Sequence, residues 1–189
     1  MRKVQQKLAK DIHKHFEMEK EARALADPSF SPEQLVCSLV EHEQFYSAVV
    51  FLAHALPKRE AVWWACLCAR TTITEDSSSD DIAALKSAER WVFTPTEENR
   101  RLAEKLAEKT EFLTPASWAA TAAFWSGGSI TGEQDTPVPP APYLYAHAVA
   151  GAVNLSATFD ARRNAEDLYR LFISQAMNIA DGGNGELAA

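Results

Sequence analysis

No apolar run in this chain approaches the ~18 residues that a bilayer-spanning helix requires. No uninterrupted apolar stretch follows the basic residues at its start either, so neither a membrane span nor a secretory leader is expected and the reading is a cytoplasmic protein. Cysteine is scarce: Cys37, Cys66 and Cys68 are an odd number in apolar helical surroundings, which points to buried, reduced thiols and away from a disulfide scaffold. Cys66 and Cys68 lie roughly 200° apart around a helix, so they diverge and make a poor metal pair; no metal and no cofactor are expected. Basic residues are outnumbered, with 19 Lys and Arg against 26 Asp and Glu and a net charge of -7. That balance argues against a nucleic-acid partner, which would call for a basic face. Alternating strand patterns and internal repeats are also missing, and the fold class that remains is all-α.

What is present is a globular composition, 47% hydrophobic and 24% charged. A chain of 189 residues suits one core that buries roughly 70% of the surface exposed on unfolding. Residues 1–180 read as a single helical domain with a basic N-terminal helix, and residues 181–189, beginning DGGNG, as a mobile tail. The charge is uneven. Met1 to Phe16 holds Arg2, Lys3, Lys7, Lys10 and Lys14 against Asp11 alone, a local balance of +4.

Val4, Leu8, Ile12 and Phe16 recur every four residues and predict an amphipathic helix from about Arg2 to Ala26. Ser31-Pro32-Glu33-Gln34 has the N-cap, N1 proline and capping-box glutamine of a new helix through about Val40. Phe45 to Leu56 is strongly apolar and stops at Pro57, which opens the next helix. From Ala61 to Ala69 no residue is charged, so that helix must be covered on several sides. Trp63 and Trp64, roughly 100° apart, are both expected to be largely buried.

Further helices are predicted over about Asp81 to Phe93, Glu97 to Glu111, Thr114 to Trp125, Tyr143 to Leu155 and Asp160 to Ala180. The helix over Glu97 to Glu111 is highly charged, with Leu102 and Leu106 as its apolar anchors, and is expected to be mostly exposed. Short connections favour an irregular bundle of about seven to nine helices around the tryptophan helix.

Few residues suggest chemistry. His13 and His15 read as a solvated helix face, His42 between Glu41 and Glu43 as a polar helix junction, and His54 and His147 as hydrogen-bonded core histidines. No local motif sets a serine or cysteine beside a base. Ser126-Gly127-Gly128-Ser129 has no P-loop lysine after it and reads as a helix stop. Asp76, Asp80 and Asp81 read as loop and cap residues. The long proline-rich connection from Ser126 to Pro142 differs, because irregular segments of this length within a domain are often functional. Its prolines limit the entropy of ordering, and aromatic residues flank it. Trp125, Ser126, Pro139, Pro140, Tyr143 and Tyr145 are therefore the candidate partner-binding residues.

FLAHALPKREAVWWACLCAR, together with FWSGGS, PVPP and YAHAVAGAV, resembles an uncharacterised family of bacterial helical proteins associated with type VI secretion loci. The resemblance covers Phe51 to Val153 and leaves out the basic N-terminus. It implies a non-enzymatic cytoplasmic interaction protein with a protein partner: an adaptor, chaperone or regulatory accessory of the secretion system. An immunity protein masking a toxic partner is a close variant. The alternative from another class is a small hydrolase-like enzyme whose site assembles only in the fold.

Overall fold

The basic start of the chain does not form the long helix that its four-residue periodicity predicts. In the computed structural model, which describes residues 1–132 and 134–186, this region holds only α1 (Lys10–His13) and α2 (Lys20–Ala24). Lys3, Lys7, Lys10 and Lys14 stand three or four places apart and would repel one another along a single helix face. Tertiary contacts offer the chain an alternative. The Lys3 N–H donates to the Ala180 carbonyl and the Ala9 N–H to the Phe30 carbonyl, both at 2.8 Å. The terminal amine pairs with Asp181 at 2.9 Å. Ile12 is buried and Val4, Leu8 and Phe16 are half-buried, so the apolar stripe is covered by wrapping around the domain.

Eight longer helices follow: α3 (Pro32–Glu41), α4 (Phe45–Ala55), α5 (Lys58–Arg70), α6 (Ser79–Phe93), α7 (Glu97–Lys109), α8 (Pro115–Phe124), α9 (Leu144–Thr158) and α10 (Ala165–Ala180). The described residues contain no strand, and the fold is all-α. The ten helices among the described residues exceed the expected seven to nine because the N-terminal region is split in two. None is long and apolar enough to cross a membrane.

Hydroxyl and proline chemistry sets most of the starts. Ser31 and Gln34 form a reciprocal capping box ahead of α3, and Thr114 and Ser117 form another ahead of α8. Ser78 accepts from the Asp81 N–H at α6, and Thr96 from the Asn99 N–H at α7. Each such cap satisfies a backbone donor that the first helical turn leaves open.

Trp64 is fully buried, and its Nε1–H donates to the Phe172 carbonyl of α10 at 2.8 Å. Trp63 corrects the expectation of a buried pair. It is half-buried, meets Phe93 edge-on at 5.7 Å and donates to the Asn184 carbonyl at 2.7 Å. Consecutive helical residues point in different directions, and only the Trp64 direction is enclosed by helices. Beneath them α8 packs most extensively on α9. The alanines of both helices allow close approach, and a Cβ at Gly151 would lie 3.4 Å from the Trp118 ring.

Two other expectations need correction. Cys37 is exposed, on the outer side of α3, while Cys66 and Cys68 are buried. α7 is not mostly exposed: its inner face is Asn99, Arg100, Ala103 and Ala107, with Leu102 and Leu106 only half-buried. Charge misleads there because two arginines are used internally. Of the C-terminal segment, residues 187–189 lie outside the described residues. Before them, Asn184 accepts the Trp63 indole proton, and Gly185 is buried, its N–H donating to Asn178 Oδ1 at 2.9 Å.

Candidate functional site

The connection from Ser126 to Pro142 is built on two arginines of α7. Arg100 is only 3% exposed. Its guanidinium donates to the carbonyls of Phe124 at 2.8 Å and Ser129 at 2.9 Å, and to both Glu97 oxygens at 2.6 Å. Arg101 donates to the Thr131 carbonyl at 2.8 Å and to Glu104 at 2.8 Å. Both lie over the Phe124 ring. The hydrogen bonds from Arg100 hold the Glu97 carboxyl below its ordinary pKa. These bonds satisfy backbone carbonyls at the end of α8 and immediately beyond it. Sequence reading missed both arginines, because a charged helix ordinarily faces solvent.

Beyond this base the connection folds back on itself. The Ile130 N–H donates to the Val138 carbonyl at 2.8 Å, and the Val138 N–H donates to Ser129 Oγ at 2.9 Å. Residues 136–141 then run without helix or turn. Pro137, Val138, Pro139, Ala141 and Pro142 are exposed and Pro140 is half-buried. This proline strap stands on a fixed base, so its presentation costs little further ordering.

The strap ends at Tyr143, which has φ 63°, the left-handed region that is sterically costly for a residue with a Cβ. The Tyr143 ring is the centre of an aromatic cluster. His15 stacks on it at 4.4 Å, His54 lies 5.6 Å away and Tyr145 6.4 Å away. His54 also meets Phe16 at 4.4 Å and the edge of His147 at 5.2 Å. His15, His54 and His147 thus come together from the N-terminal segment, α4 and α9. The expectation of a solvated His15 holds for its exposure but misses this stacking, and His147 is exposed where a core histidine was expected. No sequence signal links residues so far apart.

A cavity of about 600 Å³ opens beside this cluster. It is lined by the α4–α5 junction, with His54, Leu56, Pro57 and Lys58, by Pro140–Tyr143 and Tyr145, and by Lys3, Gln5 and Gln6 of the N-terminal segment. His54 is 3% exposed. Its Nδ1–H donates to the Val50 carbonyl at 2.8 Å, so Nε2 carries the lone pair in the neutral ring. That Nε2 is buried without a partner, which leaves an acceptor unsatisfied at about 1–3 kcal/mol. Burial pushes the His54 pKa down to about 4, against the opposing Val50 hydrogen bond, with the nearby His147 and His15 adding to the fall. Burial, with Tyr143 as a smaller contributor, pushes Tyr145 up to about 12. The Tyr145 hydroxyl donates to the Leu56 carbonyl at 3.4 Å. Lys58 Nζ donates to the Ser126 carbonyl at 2.9 Å and lies 5.6 Å from the centre of the Tyr145 ring.

Pro140, Tyr143 and Tyr145 therefore line the cavity, and Ser126 is tied to it through Lys58. Ser126 is itself buried, with its hydroxyl donating to the Ala122 carbonyl at 2.7 Å. Pro139 is on the exposed strap, and Trp125 is half-buried at the end of α8, packed against the core and outside the cavity lining. The lining contains no serine, cysteine, aspartate or glutamate, and among the described residues no three His, Cys, Asp or Glu side chains form a metal-binding group.

No curated protein and no solved structure matches the chain. A family match does exist, and it spans residues 35–180, which include His54, Lys58, the strap and Tyr143 but leave out Lys3 and His15. The chain belongs to that family, described as a family of unknown function (DUF6931).

Proposed function

We propose that this chain is a non-enzymatic cytoplasmic interaction protein, an adaptor or regulatory accessory that engages a protein partner through the proline strap and the tyrosine-lined cavity behind it. The observation that carries this reading is the run Pro137–Pro142, exposed except for the half-buried Pro140, set on the Arg100 and Arg101 base. A stiff, preordered segment beside a half-buried tyrosine suits recognition, because little entropy is lost on contact. Placement in a bacterial type VI secretion system rests on the resemblance of the Phe51 to Val153 motifs alone. An immunity role is the variant in which the acidic domain, at -7, covers a basic surface of a toxic partner.

The test is a pull-down from the native organism with wild type and with a Pro139→Ala/Pro140→Ala/Tyr143→Ala variant, alongside thermal unfolding of both. Loss of a partner at unchanged stability supports the reading. Equal recovery of the same partners by both proteins sinks it.

A hydrolase-like enzyme is the second reading, favoured by one observation: His54 and Tyr145, both with shifted pKa values, share a cavity. A nucleophilic mechanism needs more than a base. The cavity lining offers no hydroxyl of serine or threonine, no thiol and no carboxylate, which is why binding is preferred over catalysis.

A further inference from the structure

The cavity has a charge character that the chain as a whole does not share. Against a net charge of -7, its lining holds Lys3 and Lys58 and no carboxylate. Lys3 is shared with Glu60 at 3.1 Å. Lys58 makes no ion pair among the described residues and spends one donor on the Ser126 carbonyl, leaving two of its three N–H groups open.

Lys58 is also the first residue of α5, a 13-residue helix whose N-cap is Pro57, and no side chain caps it. The unbonded N–H groups of a first turn concentrate partial positive charge. A lysine there is unfavourable to the helix, and the one carboxylate of that first turn, Glu60, is engaged by Lys3. His54 is an independent pointer to an occupant, since it lines the same cavity, is nine-tenths or more buried and has an unpartnered Nε2. Finally, the +4 stretch Met1 to Phe16 borders the cavity through Lys3, Gln5 and Gln6.

We infer that the cavity receives a carboxylate side chain from an acidic peptide segment of a protein partner, an inference that rests on the protein-binding reading above. The carboxylate meets the Lys58 ammonium and the uncapped start of α5. Seating of the segment opens the His54 wall of the cavity, so that a peptide N–H satisfies the Nε2 that the unbound chain keeps buried. Neighbouring acidic residues of the segment lie along the basic N-terminal stretch, and Pro140 and Tyr143 close over its backbone. A volume of about 600 Å³ admits a few residues of such a segment. Charge complementarity of this kind sets orientation and speeds encounter.

The probe is a fluorescein-labelled octapeptide of alternating glutamate and glycine, titrated with the full chain and followed by anisotropy. Its lysine counterpart and inorganic phosphate serve as comparisons. Binding of the glutamate peptide alone is expected, and Lys58→Gln, which keeps a donor for Ser126, should weaken it at least tenfold. His54→Phe should weaken it severalfold. Lys109→Gln, an equal charge change at the far end of α7, should alter it less than twofold. Failure of wild type to bind the peptide overturns the inference, as does equal weakening by Lys58→Gln and Lys109→Gln. Phosphate competing as strongly as the peptide overturns it in favour of a free-anion site. The two readings fail separately: a partner captured through the strap but unaffected by Lys58→Gln removes the acidic segment and leaves the protein-binding reading standing.

Discussion

Arg100 occupies the space that a side chain at Gly128 would need. A Cβ at Gly128 would lie 2.7 Å from Nε and Nη2 of Arg100, and the residue has φ +64°. Only glycine meets both conditions without strain. Gly128→Ala therefore displaces a buried guanidinium from the Phe124 and Ser129 carbonyls and adds left-handed strain, for a loss of about 2 to 4 kcal/mol. Gly127, next to it, has nothing within 4 Å of its Cβ position, so Gly127→Ala should cost much less. Urea denaturation of the two variants checks this, and equal stabilities would refute the role given to Arg100.

The tryptophans separate in the same way. Trp64→Ala empties a fully enclosed site and removes the indole bond to the Phe172 carbonyl, so it should destabilise the domain by about 3 to 5 kcal/mol. Trp63→Ala removes a half-buried ring and its bond to Asn184, and should cost clearly less. Denaturant titrations that rank them in the opposite order would mean that the C-terminal segment carries more of the core than its exposure suggests.

Helix positions from Ser31 onward were legible because local chemistry writes them: Ser31 and Thr114 with their prolines, and the break at Pro57, act within a turn of where they stand. The N-terminal region was misread for the converse reason. Its Val4–Phe16 periodicity is real, but Ala180 and Phe30, distant in sequence, supply the hydrogen bonds that draw Lys3 and Ala9 out of a helix. The candidate site shows the same division. Tyr143, Tyr145 and Pro140 could be named from the proline-rich connection alone. His15, His54 and Lys58 reach them only by tertiary packing, and α7 looked exposed because sequence reports that Arg100 is charged, not that two carbonyl oxygens and a carboxylate await it.

Thiol reactivity should divide by position. Cys37 is exposed, whereas burial pushes both core thiols well above their ordinary pKa, with Glu89 adding to the effect at Cys66 and Cys66 adding to it at Cys68. One thiol per chain should react promptly with a disulfide reagent at neutral pH, and Cys37→Ser should abolish that phase. Cys66 and Cys68 should react only on unfolding. Prompt modification of either in the folded Cys37→Ser protein would show that the tryptophan helix opens far more readily than its packing implies.

His54 should make the domain acid-sensitive in a defined window. In the unfolded chain its imidazole titrates near the ordinary 6.5, and in the folded chain near 4. Between those values the unfolded state binds a proton that the folded state refuses, so stability falls as pH drops from about 6.5 to about 4 and the His54 share of the loss then levels off. The interval corresponds to about 3 kcal/mol. Other groups lie near His54: His147 from α9 and the Tyr143 ring at the end of the strap meet it directly, and His15 from the N-terminal segment, stacked on Tyr143, adds its charge to the lowering. His54→Phe keeps an aromatic ring against Phe16 and Tyr143 while removing the titration and the unpartnered Nε2. Urea titrations of wild type and variant at about pH 7.5 and about pH 4.5 isolate this contribution, since the remaining carboxylates are common to both proteins. Wild type should lose about 2 to 3 kcal/mol more than the variant across that interval. Parallel losses in the two proteins would show that His54 accepts its proton in the folded state near the ordinary pH, which would require water or an ion to reach Nε2 through the cavity.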